Sequence, residues 1–128
     1  MEKRDDIAEF EKLEQQVHSF LADVSELSKK RPNDPLNKFK LKFINTALTR
    51  LNKILKSERP FANFSEFDLD DLPSNSDVVL LLSQYAAALH RFRVENTTDD
   101  GDNSTWIVRG KDSGIDAGNP DDFKYLPK

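Results

Sequence analysis

The chain of 128 residues contains no cysteine, one tryptophan and four glycines. The absence of cysteine excludes disulfides, cysteine-ligated zinc, iron–sulfur clusters and thiol catalysis. The apolar runs are far shorter than the roughly 20 residues that a membrane-spanning helix needs, so we expect no membrane segment. Because no apolar run follows the first six residues, we also expect no secretory signal peptide and a cytoplasmic location.

Glycine is confined to the part of the chain after residue 100. The prolines before that point stand between apolar-periodic segments; they are Pro32, Pro35, Pro60 and Pro73. Such placement of helix breakers is typical of a helical domain. We therefore predict a helical bundle domain over residues 1–97 and an irregular tail, rich in Asp, Asn and Gly, over residues 98–128. The strand-like triplet Trp106-Ile107-Val108 has no evident partner, so we expect it to be extended without forming a sheet.

Apolar residues that recur every three or four positions predict three long helices. Helix 1 spans about Asp5 to Lys30, helix 2 about Pro35 to Lys56, and helix 3 about Ser76 to Glu95. Short connections make neighbouring helices antiparallel. The sequence thus predicts an all-α fold, an antiparallel three-helix bundle of the up-down-up type, with the most apolar helix, helix 3, at its centre.

The connection between helices 2 and 3 is rich in phenylalanine and acidic residues. Ser65 and Asp68 are spaced as in a capping box, which predicts a short helical turn here. Three phenylalanines recur at intervals of three residues: Phe61, Phe64 and Phe67. They either pack on the open end of the bundle or form a docking patch for a protein partner, because exposed aromatic clusters mark interfaces.

Charge is unevenly distributed, although the net charge is only −4. Residues 32–60 contain seven Lys or Arg and two acids, whereas residues 61–83 contain five acids and no Lys or Arg. The polar face of helix 2 carries four lysines that could contact the phosphates of a nucleic acid: Lys38, Lys42, Lys53 and Lys56. A solvated face without a ligand is the alternative, since no helix-turn-helix spacing or set of stacking aromatics accompanies these lysines.

Motifs that carry chemistry are missing. Gly110-Lys111 is followed by Asp112, so it does not form a phosphate-binding loop. No acid-rich stretch has the ligand spacing of a calcium loop, and no E-x-x-H or H-E-x-x-H motif occurs. His18 and His90 lie beside apolar stripes, where an ordinary hydrogen bond explains them. We therefore predict no catalytic residue, no metal site and no cofactor.

These observations predict a small, cytosolic, non-catalytic helical domain for protein interaction or regulation, with a protein partner of unknown identity. The alternative is a nucleic-acid-associated protein that uses the four lysines of helix 2. An enzyme with a pocket between helices is a third class, because bundle interiors can hold sites that sequence spacing does not reveal.

The apolar surface exceeds what one small bundle can cover. Helix 1 keeps its apolar stripe for about three heptads, and the wide apolar arc of helix 2 includes Phe39 and Phe43. Helix 3 has a second, thinner apolar face formed by Leu80, Ala87 and Val94. Tail aromatics such as Phe123 and Tyr125, the phenylalanine-rich turn, or a second copy could cover the surplus. In the last case helix 1 would supply the interface of a homodimer.

Overall fold

The structure is a computed structural model that describes the backbone of residues 4–100, 103–108 and 111–118, and the side chains of residues 6–97. Its elements, in chain order, are α1 (Arg4–Lys30), α2 (Lys38–Leu55), a 3-10 turn (Lys56–Glu58), α3 (Asn75–Glu95), β1 (Thr97–Asp100), β2 (Asn103–Val108) and β3 (Lys111–Gly118). The predicted all-α bundle of three helices is confirmed. Helix α1, rather than the more apolar α3, packs against both other helices.

The apolar stripe of α1 is buried inside the bundle. Its core members are at most 3% exposed and are Ile7, Phe10, Leu13, Val17, Leu21 and Val24. They join the apolar faces of α2 and α3 in one core that contains Leu48, Leu51, Leu82 and Leu89. Because the apolar stripe of α1 is buried in this core, it is not a surface on which a second copy can dock.

Helix α2 begins three residues later than its sequence predicts. Asn37 is the N-cap, and its Oδ1 accepts hydrogen bonds from the backbone N–H groups of Phe39 at 2.8 Å and Lys40 at 3.3 Å. Asn33 and Asp34, which precede Pro35, lie in the turn before α2. That turn is held by α3, because the backbone N–H of Asn75 donates to the carbonyl of Asp34 at 2.9 Å.

The directions of the helices differ from the predicted up-down-up order. The Asn75 side chain, in the first turn of α3, donates to the carbonyl of Arg31 just after α1, at 2.9 Å. The backbone N–H of Leu36, just before α2, donates to the carbonyl of Pro73, just before α3, also at 2.9 Å. Helices α2 and α3 therefore start at the same end of the bundle, and both run opposite to α1, which gives an up-down-down order.

An extended crossover, residues 59–74, returns the chain to that end and replaces the predicted phenylalanine-rich helical turn. Asn45 of α2 donates from Nδ2 to the carbonyl of Phe67 at 2.9 Å and accepts at Oδ1 from its backbone N–H at 2.8 Å. Asn52, two turns further along α2, donates to the carbonyl of Ser65 at 3.0 Å. These amides satisfy backbone groups that a helical turn would pair internally, so the crossover stays extended.

After the bundle, the structure differs from the expected irregular tail. Strands β1, β2 and β3 form an antiparallel sheet in chain order. The pairs Asp100↔Asn103 and Val108↔Lys111 leave two-residue connections, and each connection contains a glycine in the sequence. Two-residue connections with glycine favour hairpins; in this sheet Trp106 pairs with β1, whereas Ile107 and Val108 pair with β3. Phe123 and Tyr125 lie outside the described residues.

Candidate functional site

The most deeply buried charges join α1 to α3. Arg93 and Glu14 have side chains that are each 1% exposed, and they form two hydrogen bonds, Nη2 to Oε1 at 2.6 Å and Nε to Oε2 at 3.3 Å. The Arg93 guanidinium also lies 5.9 Å from the ring centre of Phe10 and 3.7 Å from a carboxylate oxygen of Glu11. Because each charge faces its counter-charge in a closed interior, neither charge is left uncompensated, and the pair offers no site to a ligand.

The histidines do not assemble a catalytic or metal-binding group. His18 is exposed on α1 and His90 is half-buried on α3, where its Nδ1 is buried and has no hydrogen-bond partner among the described atoms. Within the described part of the chain, no three side chains from His, Asp and Glu lie close enough together to hold a metal ion.

Two carboxyl groups meet where the 3-10 turn approaches the end of α3. Desolvation raises the pKa of Glu58 above its ordinary value of 4.5, and both the hydrogen bond to Glu95 and the negative charge of Glu95 raise it further. The positive charge of Arg91 acts in the opposite direction and lowers this pKa. Both carboxyl groups are on exposed side chains, so the pair is in contact with water and is not positioned against an enclosed substrate site.

A cleft of about 1080 Å³ opens at the end of the bundle where α1 begins and α2 ends. Its charged lining contains four cations and three acids, namely Lys12, Arg50, Lys53, Lys56, Asp6, Glu9 and Glu58. Lys56 adopts a positive φ of 54°, which is costly for a residue other than glycine. The mixed signs balance one another, so the cleft shows no preference for an anionic or a cationic ligand.

The three phenylalanines that the sequence singled out do not form one exposed patch. Phe64 and Phe67 are half-buried and pack against the core, with their ring centres 5.1 Å apart. Phe64 also approaches Tyr85 of α3, at 6.5 Å between ring centres. Phe61 is 40% exposed. The phenylalanines therefore attach the crossover to the bundle, and Phe61 alone of the three keeps a large part of its ring in water.

The four predicted nucleic-acid-binding lysines are exposed but separate into two groups. Lys38 and Lys42 lie near the start of α2, whereas Lys53 and Lys56 lie at its other end and line the cleft. About 16 Å of helix rise separates Lys42 from Lys53. The acidic crossover lies along the same helix, yet no ion pair within 4.0 Å joins it to these lysines among the described side chains.

Within residues 6–97, the most exposed aromatic rings were missed by sequence reasoning, which counted them within the buried arc of α2. Phe39 is 69% exposed and Phe43 is 55% exposed. Their rings meet edge to face with centres 5.1 Å apart, as expected for aromatic residues one turn apart on a helix. The width of the apolar arc of α2 is the sequence feature that could have indicated this exposure, because a helix that packs on one neighbour cannot bury so many positions.

Lysines flank this pair of rings, and Glu66 of the acidic crossover lines the same groove as one of them, Lys42. Lys38, Lys40 and Lys42 are exposed around it, and the first turn of α2 contains no acid. The helix N-terminus adds the positive end of the helix dipole. We call the surface formed by Phe39, Phe43 and these three lysines the basic aromatic face.

A second surface has the opposite character, because it carries no charge over most of its length. The sequence contains no Asp, Glu, Lys or Arg in residues 15–22 of α1 or in residues 78–90 of α3. On the outer side of α3, Leu80 is 62% exposed, Val94 is 46% exposed, and Ala87 between them is half-buried. We call the stripe of Leu80, Ala87 and Val94 the uncharged face.

No family model matches the chain, and comparisons with curated proteins and with solved structures found no match. Among the residues that the structure describes, no helix is both long enough and apolar enough to cross a membrane.

Proposed function

We propose that this chain is a non-catalytic protein-interaction domain and that the basic aromatic face is its docking surface. The observation that carries the proposal is the pair of exposed aromatic side chains, Phe39 and Phe43, flanked by the three lysines of the basic aromatic face. Large aromatic residues in the centre of a polar rim are the typical composition of interface hot spots.

The arrangement is unfavourable for the bundle on its own. Full burial of each exposed phenylalanine would contribute about 1.5–3 kcal/mol, which the bundle on its own does not gain. Lysines in the first turn of α2 face the positive end of the helix dipole, an interaction that costs about 0.3–1 kcal/mol for each charge. Local choices that oppose the stability of the fold mark functional positions, because a bound partner can reverse both penalties.

The chemistry of the face specifies the partner. Acidic side chains would complement Lys38, Lys40 and Lys42 and the N-terminus of α2, while apolar side chains would cover the two rings. An amphipathic helix with an acidic polar face supplies both at the required spacing of one helical turn. We therefore propose an acidic, amphipathic protein segment as the partner; the cytoplasmic location stays a prediction from the N-terminal sequence.

Nucleic acid is the second candidate, because lysines interleaved with aromatic rings also suit single strands. The geometry favours it less. Lys53 and Lys56 are distant from the rings and share their cleft with Asp6, Glu9 and Glu58. The four predicted lysines thus do not form the continuous positive groove that tracks a phosphate backbone.

Fluorescence anisotropy with two labelled peptides tests the proposal. The first peptide is an amphipathic helix with leucine and phenylalanine on one face and glutamate on the other; the second replaces every glutamate with lysine. We expect the acidic peptide to bind and the basic peptide not to bind. A labelled single-stranded oligonucleotide of mixed sequence is the third probe, and its binding in preference to the acidic peptide would favour the nucleic-acid candidate.

Variants assign the binding to the face. The double variant Phe39→Ser/Phe43→Ser should lose the acidic peptide, and Lys40→Glu/Lys42→Glu should weaken binding through repulsion. Leu80→Ser is the matched control, because Leu80 is as exposed as these rings but lies on α3. Binding that survives both double variants would show that the basic aromatic face is not the docking surface.

A further inference from the structure

The uncharged face on α3 has an internal symmetry. Leu80, Ala87 and Val94 are spaced seven residues apart, so they lie in one row along the helix. The small residue is in the middle, and the two larger, exposed residues are at the ends, at 62% and 46% exposure. Ser83, between Leu80 and Ala87, is also small and half-buried.

We propose that a second copy of this chain docks on the uncharged face, with the two α3 helices antiparallel across a two-fold axis at Ala87. The axis reverses the direction of the helix, so equal spacing on both sides of Ala87 places Leu80 of one copy against Val94 of the other. Ala87 then faces its own copy, where its short side chain allows the two helices to approach to about 8 Å.

Charge identifies the occupant as a second copy rather than a foreign partner. In a two-fold interface each copy presents the same patch, so a charged patch repels itself. The basic aromatic face, with Lys38, Lys40 and Lys42, is therefore unsuited to self-association. Residues 15–22 and 78–90 carry no charge, and the axis places the exposed Arg91, beside the stripe, opposite Ser83 of the other copy, so no like charges meet across the interface.

The available area indicates a weak, reversible dimer. The stripe from Leu80 to Val94 is about 20 Å long. With the adjacent strip of α1 included, the face is about 20 Å wide, which gives about 400 Å² for each copy. The total of about 800 Å² lies below the 1,200–2,000 Å² of stable interfaces and in the range of transient complexes.

Sedimentation equilibrium tests the dimer on the full chain. Between about 5 and about 500 μM, a range suited to a transient complex, the weight-average mass should rise from 14.7 kDa towards twice that value. Leu80→Glu places a charge against the apolar Val94 of the other copy, and Ala87→Glu places two like charges together at the axis, so both variants should hold the mass at 14.7 kDa. Phe43→Glu is the matched control and should associate like the unmodified chain.

Crosslinking provides a second readout, since the chain has no cysteine of its own. With a short bis-maleimide reagent, Ala87→Cys should give a crosslinked dimer, and Thr49→Cys, an exposed position on α2, should not. A constant mass of 14.7 kDa over the whole range would overturn the proposal. So would loss of association in Phe43→Glu but not in Leu80→Glu, or equal crosslinking of the two cysteine variants.

Discussion

The basic aromatic face and the uncharged face both leave large apolar side chains in water, but they differ in charge. Phe39 and Phe43 are flanked by lysines, whereas Leu80 lies in a stretch of α3 without charge, residues 78–90, and Val94 lies just beyond it. The difference shows how charge sorts apolar surfaces by partner. A charged rim selects a partner of opposite sign and repels a copy, while an uncharged stripe accepts a copy.

The two faces are also held in place by different kinds of contact within the bundle. The basic aromatic face begins at a capped helix N-terminus, where Asn37 accepts two backbone hydrogen bonds. The helix that carries the uncharged face is joined to α1 by the buried Arg93–Glu14 pair. The first face therefore depends on local capping, and the second depends on a contact between elements that are distant in sequence.

The largest expected effect comes from removing the buried ion pair that joins the helix of the uncharged face to α1. Arg93→Ala leaves the carboxylate of Glu14 buried without its main counter-charge, which should cost about 3–5 kcal/mol in the free energy of unfolding. Urea denaturation followed by circular dichroism measures the loss. The double variant Arg93→Met/Glu14→Leu should recover most of the stability, because no charge is then buried. A loss below about 1 kcal/mol in Arg93→Ala would contradict the account of the pair.

The crossover provides the next largest effect. Asn45→Ala removes both hydrogen bonds to the backbone of Phe67 and should cost about 1–3 kcal/mol in the free energy of unfolding. It should also increase amide hydrogen exchange around Phe67, because that backbone N–H loses its acceptor. Thr49→Ala, on an exposed position of the same helix, is the control and should change stability by less than about 0.5 kcal/mol. Unchanged exchange at Phe67 in Asn45→Ala would show that other contacts hold the crossover.

Salt should sharpen the contrast between the two faces. Raising the ionic strength from about 0.05 M to about 0.5 M shortens the screening length from above 10 Å to a few Å. Binding of the acidic peptide should therefore weaken several-fold, while the dimer should change little, because its contacts are mainly apolar and no like charges meet across its axis. Anisotropy and sedimentation measure the two quantities. Equal salt dependence of both would remove the distinction that separates the faces.

The smallest effect concerns Glu58, which lies away from both faces. Because its pKa is raised in the folded state, its contribution to stability is present below the ordinary value of 4.5 and is lost as the pH rises through the folded value. Glu58→Gln should therefore raise the melting temperature slightly at pH 7 and leave it unchanged at about pH 4. At both pH values, this variant should bind the acidic peptide as the unmodified chain does. An equal gain at both pH values would show that the carboxyl pair is not its cause.

The helices were predictable because their signals are local. Apolar periodicity and capping residues placed α1 and α3 within one residue of their observed bounds. The up-down-down order was not predictable, because it depends on Asn45 and Asn52 pairing with the crossover, and side-chain-to-backbone hydrogen bonds leave no periodic signal. The sheet after residue 97 was hidden for a similar reason: its strands are rich in Asp, Ser and Gly, which have low strand propensity.

The candidate surfaces were predictable only in part. The second apolar face of helix 3 was visible in the spacing of Leu80, Ala87 and Val94, and the structure leaves it exposed. The exposure of Phe39 and Phe43 was not visible, because a wide apolar arc does not show which edge faces a neighbour. The positions of α1 and the crossover around α2 decide that, and they are a property of the whole bundle.

Amide chemical shifts in a ¹⁵N-labelled sample test the central claim most directly, because one spectrum reports on both faces. Addition of the acidic peptide should shift the resonances around Phe39 and Phe43 and leave those around Leu80 and Val94 in place. Dilution of the protein alone should shift the second group and leave the first in place. If both experiments shift the same group, or neither shifts any, the chain does not carry two docking faces sorted by charge.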